Sequence, residues 1–380
     1  MKKKLLFGIT GLTLGGAERV LVDIANRLCD EYEITIFTIY AKGEFEKELN
    51  KKINLISMCD KSYSELTNMQ KHLIMPLKVL LNRKQIYNKY IKGKFDIEVS
   101  FLEGPITRII STRARKNNVK KIAWLHNDMR LVFGKGIKSV IKKSIDKNIY
   151  GKYDKIVFVS KDNKEKFDLL YKDGIRNKEL VKVKEEVVHN YVNKEKILEK
   201  ALKEQDIKFD KNKINFVTVC RLVEQKALER LIEIHIKLVK NQVNYNMYVI
   251  GDGPLREELE KKIKENGIEE TFKILGKREN PYPYMKNSDV FCLLSYFEGY
   301  PMVVEEAKIL GKRILITNTA AREVVEEYNQ AVIVENNEHA IYKAIKEEVD
   351  NIRANPQVEH TYNQYDNENI IKEVKRIIEK

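Results

Sequence analysis

Short apolar runs recur along the first half of the chain, separated by longer stretches in which apolar positions return every three or four residues. Leu5–Ile9, Ile34–Ile39, Ile53–Met58, Ile97–Phe101, Lys121–Trp124 and Ile156–Val159 are near-continuous runs, the pattern of strands covered on both faces. Ala17–Leu28 and Ile106–Lys116 carry helical spacing between them. A last strand is expected within Lys182–Val192, before the charged helix Lys194–Glu204. The rhythm then repeats, with strands at Asn215–Val219, Tyr245–Ile250, Phe272–Leu275, Val290–Leu294, Arg313–Thr317 and Val332–Val334. Helices are expected at Ala227–Lys240, Leu255–Glu265, Met302–Leu310, Ala320–Tyr328 and His339–Asn351, with one more at Asp366–Glu379.

Strand–helix alternation on this scale predicts an α/β protein of two Rossmann-like, doubly wound domains facing across a cleft. The expected boundaries are 1–193, 194–366 and a C-terminal helix at 367–380. A length of 380 residues with 43% apolar content supports two real cores and excludes bulk disorder. The start, MKKKLLFGITGLTLGGA, imitates a secretory leader, but Thr10, Gly11, Thr13, Gly15 and Gly16 interrupt its apolar run. Strand, glycine loop and helix describe it better. No other segment approaches the ~20 apolar residues of a membrane span. Cys29, Cys59, Cys220 and Cys292 are scattered with no C-x-x-C, so the sequence predicts reduced core thiols in a cytoplasmic protein, neither disulfides nor a zinc site.

Charge separates the halves. Residues 1–192 hold 39 Lys and Arg against 23 Asp and Glu, net +16; residues 193–380 hold 31 against 33, net −2. Within the basic half, residues 135–152 place Ile137, Val140, Ile141, Ile145 and Ile149 on one helical stripe, with Lys138, Lys142, Lys143 and Lys147 mostly off it. That pattern fits an anionic membrane surface and an ordinary surface helix equally well.

The stretch from Asn287 to Gly311 carries the most chemistry. Val290–Leu294 is a buried strand, Ser295–Tyr300 a tight turn, and Pro301 a good first helical residue of a helix stopped at Gly311. A helix N-terminus at the carboxyl edge of a sheet is a ready anion site. Glu298 borders it and Glu306 follows after seven intervening residues. A phosphate for the amides and a sugar hydroxyl for a carboxylate describe a nucleotide-sugar. Acidic residues in a first turn also simply complement the helix dipole, which covers Glu305 and Glu306 taken alone. Arg221 and Lys226, five residues apart after the first strand of the second domain, can reach one diphosphate from two sides, or be two solvated loop cations.

From Glu298-Gly299-Tyr300-Pro301 into Glu306-Ala307, the string resembles the E-x7-E signature of the retaining family 4 (group 1) glycosyltransferases of bacterial capsule and exopolysaccharide type, which have the GT-B fold. Cys220–Ala227 is similar to that family's G-R-L-x-x-x-K-G segment, with Cys220 and Ala227 in place of glycines. Gly251-Asp252-Gly253-Pro254 matches its G-D-G-P segment, and Gly15-Gly16-Ala17-Glu18-Arg19 its G-G-A-E-R loop. The resemblance implies donor-sugar contacts by His126 and Glu298, and diphosphate contacts by Arg221 and Lys226. It places the turn Gly299, Tyr300, Pro301, Met302 and Val303 around the donor, with the turn's backbone N–H groups holding the diphosphate. It assigns ribose to Glu306, close backbone approach to Gly251, the base to Leu275 and Arg278, and the donor phosphate and sugar to Gly15 and Gly16. His126, Glu298, Arg221 and Lys226 are the implied catalytic group, and the last helix is expected to return to the first domain.

The function so implied is transfer of a hexosyl or N-acetylhexosaminyl group, without cofactor, from a UDP-sugar to a glycan or lipid-linked glycan. The enzyme is expected in the cytoplasm or on the inner membrane face. No D-x-D occurs, and Arg221, Lys226 and a helix N-terminus offer positive potential instead, so no metal is expected to be required. A GT-B nucleotide-sugar epimerase remains a second reading. A nucleic-acid-binding protein is disfavoured, because no basic motif interleaved with aromatics occurs. The glycine loop at Gly15 is not G-x-G-x-x-G, which disfavours a dinucleotide enzyme.

Overall fold

The computed structural model describes residues 2–112, 119–129, 146, 148–171, 180–355 and 365–380. These divide into two compact units: Met1–Tyr191 together with Glu368–Lys380, and Val192–Asn367. Most of the basic segment 135–152, and residues 113–116 of the helix expected over Ile106–Lys116, lie outside the described residues.

The first unit is built on a parallel sheet of β1 (Lys4–Ile9), β2 (Glu33–Tyr40), β3 (Asn54–Cys59), β4 (Ile97–Ser100), β5 (Lys120–Leu125), β6 (Lys155–Phe158) and β7 (Lys184–Val187). Their order is β3-β2-β1-β4-β5-β6-β7. Leu5, Leu6 and Phe7 are completely buried, as the central strand of a sheet covered on both faces requires. The helix Gly16–Leu28 turns Val20, Leu21, Ile24 and Leu28 inward. Glu98 and Lys121 are register partners inside this sheet. Burial is made tolerable by hydrogen bonds: Tyr87 Oη donates to Glu98 Oε1 at 2.5 Å, and Lys121 Nζ to the Ile110 carbonyl at 2.6 Å.

Tyr87 belongs to a helix, Met75–Tyr90, that periodicity did not reveal. Met75, Val79, Ile86 and Tyr87 are buried, yet Leu73, Ile74, Leu77 and Leu81 on other sides are exposed. Apolar residues all round the helix erase the period that a sequence pattern depends on.

The C-terminal helix Asn367–Glu379 spaces Ile371, Val374, Ile377 and Ile378 along one buried face. The part from Glu368 onward belongs to the first unit. Lys120 Nζ donates to the carbonyls of Ile377 and Ile378 at 2.7 and 3.0 Å, satisfying groups a helix end leaves open. Burial lowers the Lys120 pKa to about 8. Arg27–Glu368, Tyr32–Glu379, Lys375–Glu31 and Arg376–Glu186 contacts, each 2.6 Å, hold its flanks.

The second unit repeats the plan with β8 (Ile214–Val219), β9 (Tyr245–Ile250), β10 (Phe272–Gly276), β11 (Val290–Leu293), β12 (Arg313–Thr317) and β13 (Ala331–Val334), ordered β10-β9-β8-β11-β12-β13 and parallel throughout. The helix Leu228–Lys240 buries Leu228, Leu231, Ile232, Ile234 and Leu238 against it. His235 on that helix is a core residue, bonded to Tyr245 Oη at 2.7 Å and Thr271 Oγ1 at 2.9 Å. The helix expected over Ala320–Tyr328 shrinks to Arg322–Val325, because Tyr328 N–H turns back onto the Val325 carbonyl.

Candidate active site

In both sheets the strand order reverses at the centre, between β1 and β4 and between β8 and β11. The carboxyl ends of the strands flanking such a reversal form the crevice where doubly wound folds bind ligands. The sequence-selected residues of the second unit lie at this edge.

β8 runs into Cys220-Arg221-Leu222, against which the loop after β9 folds. Leu222 N–H donates to the Asp252 carbonyl at 3.0 Å, and Leu255 N–H to the Leu222 carbonyl at 3.2 Å. A Cβ at Gly251 (φ +148°) would stand 1.8 Å from the Cys220 carbonyl oxygen, and one at Gly253 2.4 Å from that of Leu222. The close approach that requires glycine at 251 is thus made by the Cys220 backbone. Arg221 is left exposed at the loop's surface. Burial pushes the Cys220 thiol up to about 11, so it is no thiolate nucleophile at neutral pH.

The chain then makes a single turn at Glu224–Lys226 and enters its helix through Ala227, at φ +52° and ψ +33°. Left-handed backbone costs an L-residue roughly 1–2 kcal/mol. Through this turn the two loops lock together. Tyr296 N–H donates to the Gln225 carbonyl and Gln225 Nε2 to the Phe297 carbonyl, both at 2.9 Å. Lys226 Nζ donates to Glu298 Oε1 at 2.6 Å, with only 13% and 6% of the two side chains exposed. Arg230 braces the turn from behind, donating to the Leu294 carbonyl at 2.7 Å and to Asn336 Oδ1 at 2.8 Å, and lying 4.4 Å over the Tyr296 ring. Asn336 Nδ2 donates to the Tyr296 carbonyl at 2.8 Å. Gln225, Arg230 and Asn336 carry no motif; the one local signal is an arginine on the apolar stripe of Leu228–Lys240.

Gly299, Tyr300 and Pro301 lead into the helix Met302–Ile309, where Pro301 is the N-cap, one position earlier than expected. The amides of Met302 and Val303 belong to the first turn and have no partner within the helix. Glu306 is buried and accepts from Tyr282 Oη at 3.2 Å. Glu305 turns away, accepting from Tyr300 Oη at 3.2 Å and pairing with Lys308 at 3.1 Å, and burial raises its pKa. Leu275 sits where the β9–β10 register shifts. Arg278 is bound to Asp206 at 3.0 Å and to Tyr284 Oη at 3.1 Å. Arg221, Lys226, Gly251, Glu298 and the start of the helix thus share adjoining loops, whereas Arg278 is engaged with Asp206 and Tyr284.

In the first unit, His126 follows β5 and is buried against Phe101, with ring centroids 4.8 Å apart. Burial lowers its pKa to about 3, so the ring is neutral near pH 7. Its Nε2 has no hydrogen-bond partner among the described residues. The His126 amide donates to Glu103 Oε2 at 3.0 Å, and Asn127 Nδ2 also donates to that carboxylate. Burial raises the Glu103 pKa against these hydrogen bonds. Glu103 ends the β4 turn ahead of Gly104 (φ +91°) and was not anticipated from sequence, since its partners come from a different strand. Gly15 caps Gly16–Leu28; a Cβ there would meet the Glu18 carboxylate. Among the described residues, no three His, Cys, Asp or Glu side chains are grouped to hold a metal ion.

Residues 199–368 match the family described as glycosyl transferases group 1. The chain is 27% identical over 353 residues to a Campylobacter jejuni N-acetylgalactosamine-N,N'-diacetylbacillosaminyl-diphospho-undecaprenol 4-alpha-N-acetylgalactosaminyltransferase, covering 90% of this chain and 89% of that protein. It is 24% identical over 340 residues to the capsular polysaccharide biosynthesis glycosyltransferase CapH of Staphylococcus aureus, covering 86% and 84%. Anabaena HepE, solved in complex with UDP and glucose, superposes with a TM-score of 0.69 at 16% identity over 99% of each chain. Residues 199–368, almost all of them in the second unit, are therefore similar to the group 1 glycosyltransferases, and the chain has the GT-B fold. No described helix is long and apolar enough to cross a membrane.

Proposed function

We propose that this chain transfers a sugar from a UDP-sugar to a hydroxyl of a glycan or lipid-linked glycan, with retention at the anomeric carbon and without a metal. The observation that carries this reading is the buried Lys226–Glu298 pair, set at the β8–β11 reversal beside the first-turn amides of Met302–Ile309. An ammonium has three donors. One serves Glu298, which leaves two for the diphosphate, and the exposed Arg221 adds a planar fork. As the bond from the anomeric carbon to the UDP oxygen breaks, negative charge grows on the diphosphate, where these cations and amides stabilise it. The acceptor oxygen bonds to the anomeric carbon on the same face, and its proton passes to the departing diphosphate. Glu298 orients the sugar and Glu306 takes the ribose; in the first unit, His126 is a neutral ring suited to bond a hydroxyl rather than a charged group.

The relatives' names support a place in surface polysaccharide or glycan assembly, including one acting on a diphospho-undecaprenol acceptor. A panel of nucleotide-sugars with purified protein and EDTA, following nucleotide release and product linkage, tests the assignment. UDP-sugar turnover with a retained anomeric configuration is expected. An inverted product, a strict metal requirement, or an epimerised sugar formed from donor alone would each overturn a stated part of it.

A further inference from the structure

Glu103 is only 6% exposed, and its carboxylate is stabilised by N–H donors rather than by a cation. A buried charge is costly unless it is paired or richly hydrogen-bonded. Here the His126 N–H donates to Oε2 at 3.0 Å, Asn127 Nδ2 donates to Oε1, and the backbone N–H groups of Asn127 and of Glu103 itself add to them. Every partner donates, so the site is built for the ionised form. Apart from its own amide, all of them come from one two-residue turn, and that turn carries His126.

The loop that presents Glu103 is itself fixed. Phe101 N–H donates to the Gly8 carbonyl at 2.8 Å, Thr107 Oγ1 donates to the Leu102 carbonyl at 2.7 Å, and Gly104 adopts φ +91°. From the same loop Phe101 lays its ring against His126, tilted by 49°. Phe101 is packed in turn on Trp124 and Phe7, with ring centroids 5.1 and 5.8 Å apart. Residues after β4 thus hold the imidazole twice, at its ring through Phe101 and at its backbone through Glu103. Apolar packing is non-directional, whereas hydrogen bonds to a charged acceptor are directional and roughly twice as strong as neutral ones. Fixing the His126 amide sets the direction of its Cα–Cβ bond, and with it the direction of Nε2, which is unpartnered among the described residues.

We infer that Glu103 is a positioning residue for the proposed transfer: its carboxylate locks the His126–Asn127 turn, so that the neutral imidazole meets a substrate hydroxyl at a fixed angle. This deepens the transferase reading of His126 and rests on it, and the test keeps the two apart.

The full chain is labelled with isotope-enriched histidine and its imidazole signals are recorded by NMR without nucleotide. The signals of His126 are assigned from their loss in His126→Ala. Glu103→Gln puts an amide NH2 where one carboxylate oxygen accepted, so one of the two N–H groups is left facing another donor. Its His126 signals are expected to move, while those of His235, in the core of the second unit, stay in place. In parallel, kcat with a UDP-sugar should fall about tenfold or more in Glu103→Gln. The same change made in His126→Ala should lower it by less than about twofold, because residues that act through one another are not additive. Should Glu103→Gln fail to fold, Asn127→Ala, which removes one donor from an exposed residue, should move the His126 signals by a smaller amount. Unmoved His126 signals in a folded variant, or an equal loss of kcat in both backgrounds, would overturn the inference and leave Glu103 a structural residue. Absent UDP-sugar turnover in wild type would count against the transferase reading alone, since the signals are read without it.

Discussion

At the reversal edge of the second unit's sheet the ionisable groups are paired and poised; at the corresponding edge of the first they are buried and quiet. Lys226 and Glu298 meet at 2.6 Å, Arg221 stands exposed beside them, and backbone bonds fasten the two loops together. His126, by contrast, has its pKa lowered to about 3 by burial and leaves Nε2 unpartnered among the described residues. In the proposed transfer the paired edge neutralises a growing negative charge. The other presents a neutral, buried ring and adds no charge. The net charges run the opposite way, +16 for residues 1–192 and −2 for the rest. Bulk charge therefore does not mark the edge at which charged side chains pair.

The contrast can be broken most severely at the charged edge. Lys226→Ala should lower turnover by roughly 100- to 1000-fold with an unchanged circular dichroism spectrum, since a donor to the developing charge is lost. Wild-type-like turnover would remove Lys226 from the machinery. Next comes the loop clamp. Gly251→Ala drives a Cβ into the Cys220 carbonyl, whereas a Cβ at Gly104 meets nothing within 4 Å. The first substitution should destabilise by about 2–4 kcal/mol, combining overpacking with positive-φ strain, and the second by about 1–2 kcal/mol from strain alone. Chemical denaturation of the two variants compares them directly.

Acid should act on both units. The folded-state pKa values of His126 and His235 are lowered by burial to about 3, against an ordinary value of 6.5. The unfolded chain therefore binds more protons below pH 6.5, and stability present at pH 7 is lost as pH falls from there toward 3. Each histidine should contribute about 2 kcal/mol of that loss by pH 5. Buried Glu103 and Glu305, whose pKa values are raised, act in the opposite direction, so the measurement is a difference. The loss in denaturant stability between pH 7 and pH 5 should be smaller in His235→Gln than in wild type by about that amount. The smallest effect is expected at Ala227. Glycine there removes left-handed strain but loosens the unfolded chain, for a net gain of about 0.5–1 kcal/mol.

Which of these features the sequence disclosed follows from how local each one is. Strands such as Leu5–Ile9 and Tyr245–Ile250 were visible because central parallel strands are continuous apolar runs. The helix ahead of Gly311 was visible from its own proline and glycine signals. Met75–Tyr90 stayed hidden because Leu77 and Leu81 add apolar positions on its outer side. The site residues Arg221, Lys226, Gly251, Glu298 and Glu306 were named through motif strings. That Lys226 and Glu298 pair across 72 residues of chain was not visible, because only the β8–β11 adjacency brings them together. Glu103 was missed for the same reason, its partners following β5 while it follows β4. Sheet-edge residues whose partners come from a neighbouring strand's loop leave no local trace.

On the proposed mechanism the second unit grips a nucleoside diphosphate with cations and amides alone. Calorimetric titration of the full chain with UDP in EDTA tests it most directly, with Arg221→Ala and Lys226→Ala as comparators. UDP is expected to bind without any divalent ion, and at least about tenfold more weakly in each variant. Binding that appears only when magnesium or manganese is supplied, or that is indifferent to both substitutions, would contradict it.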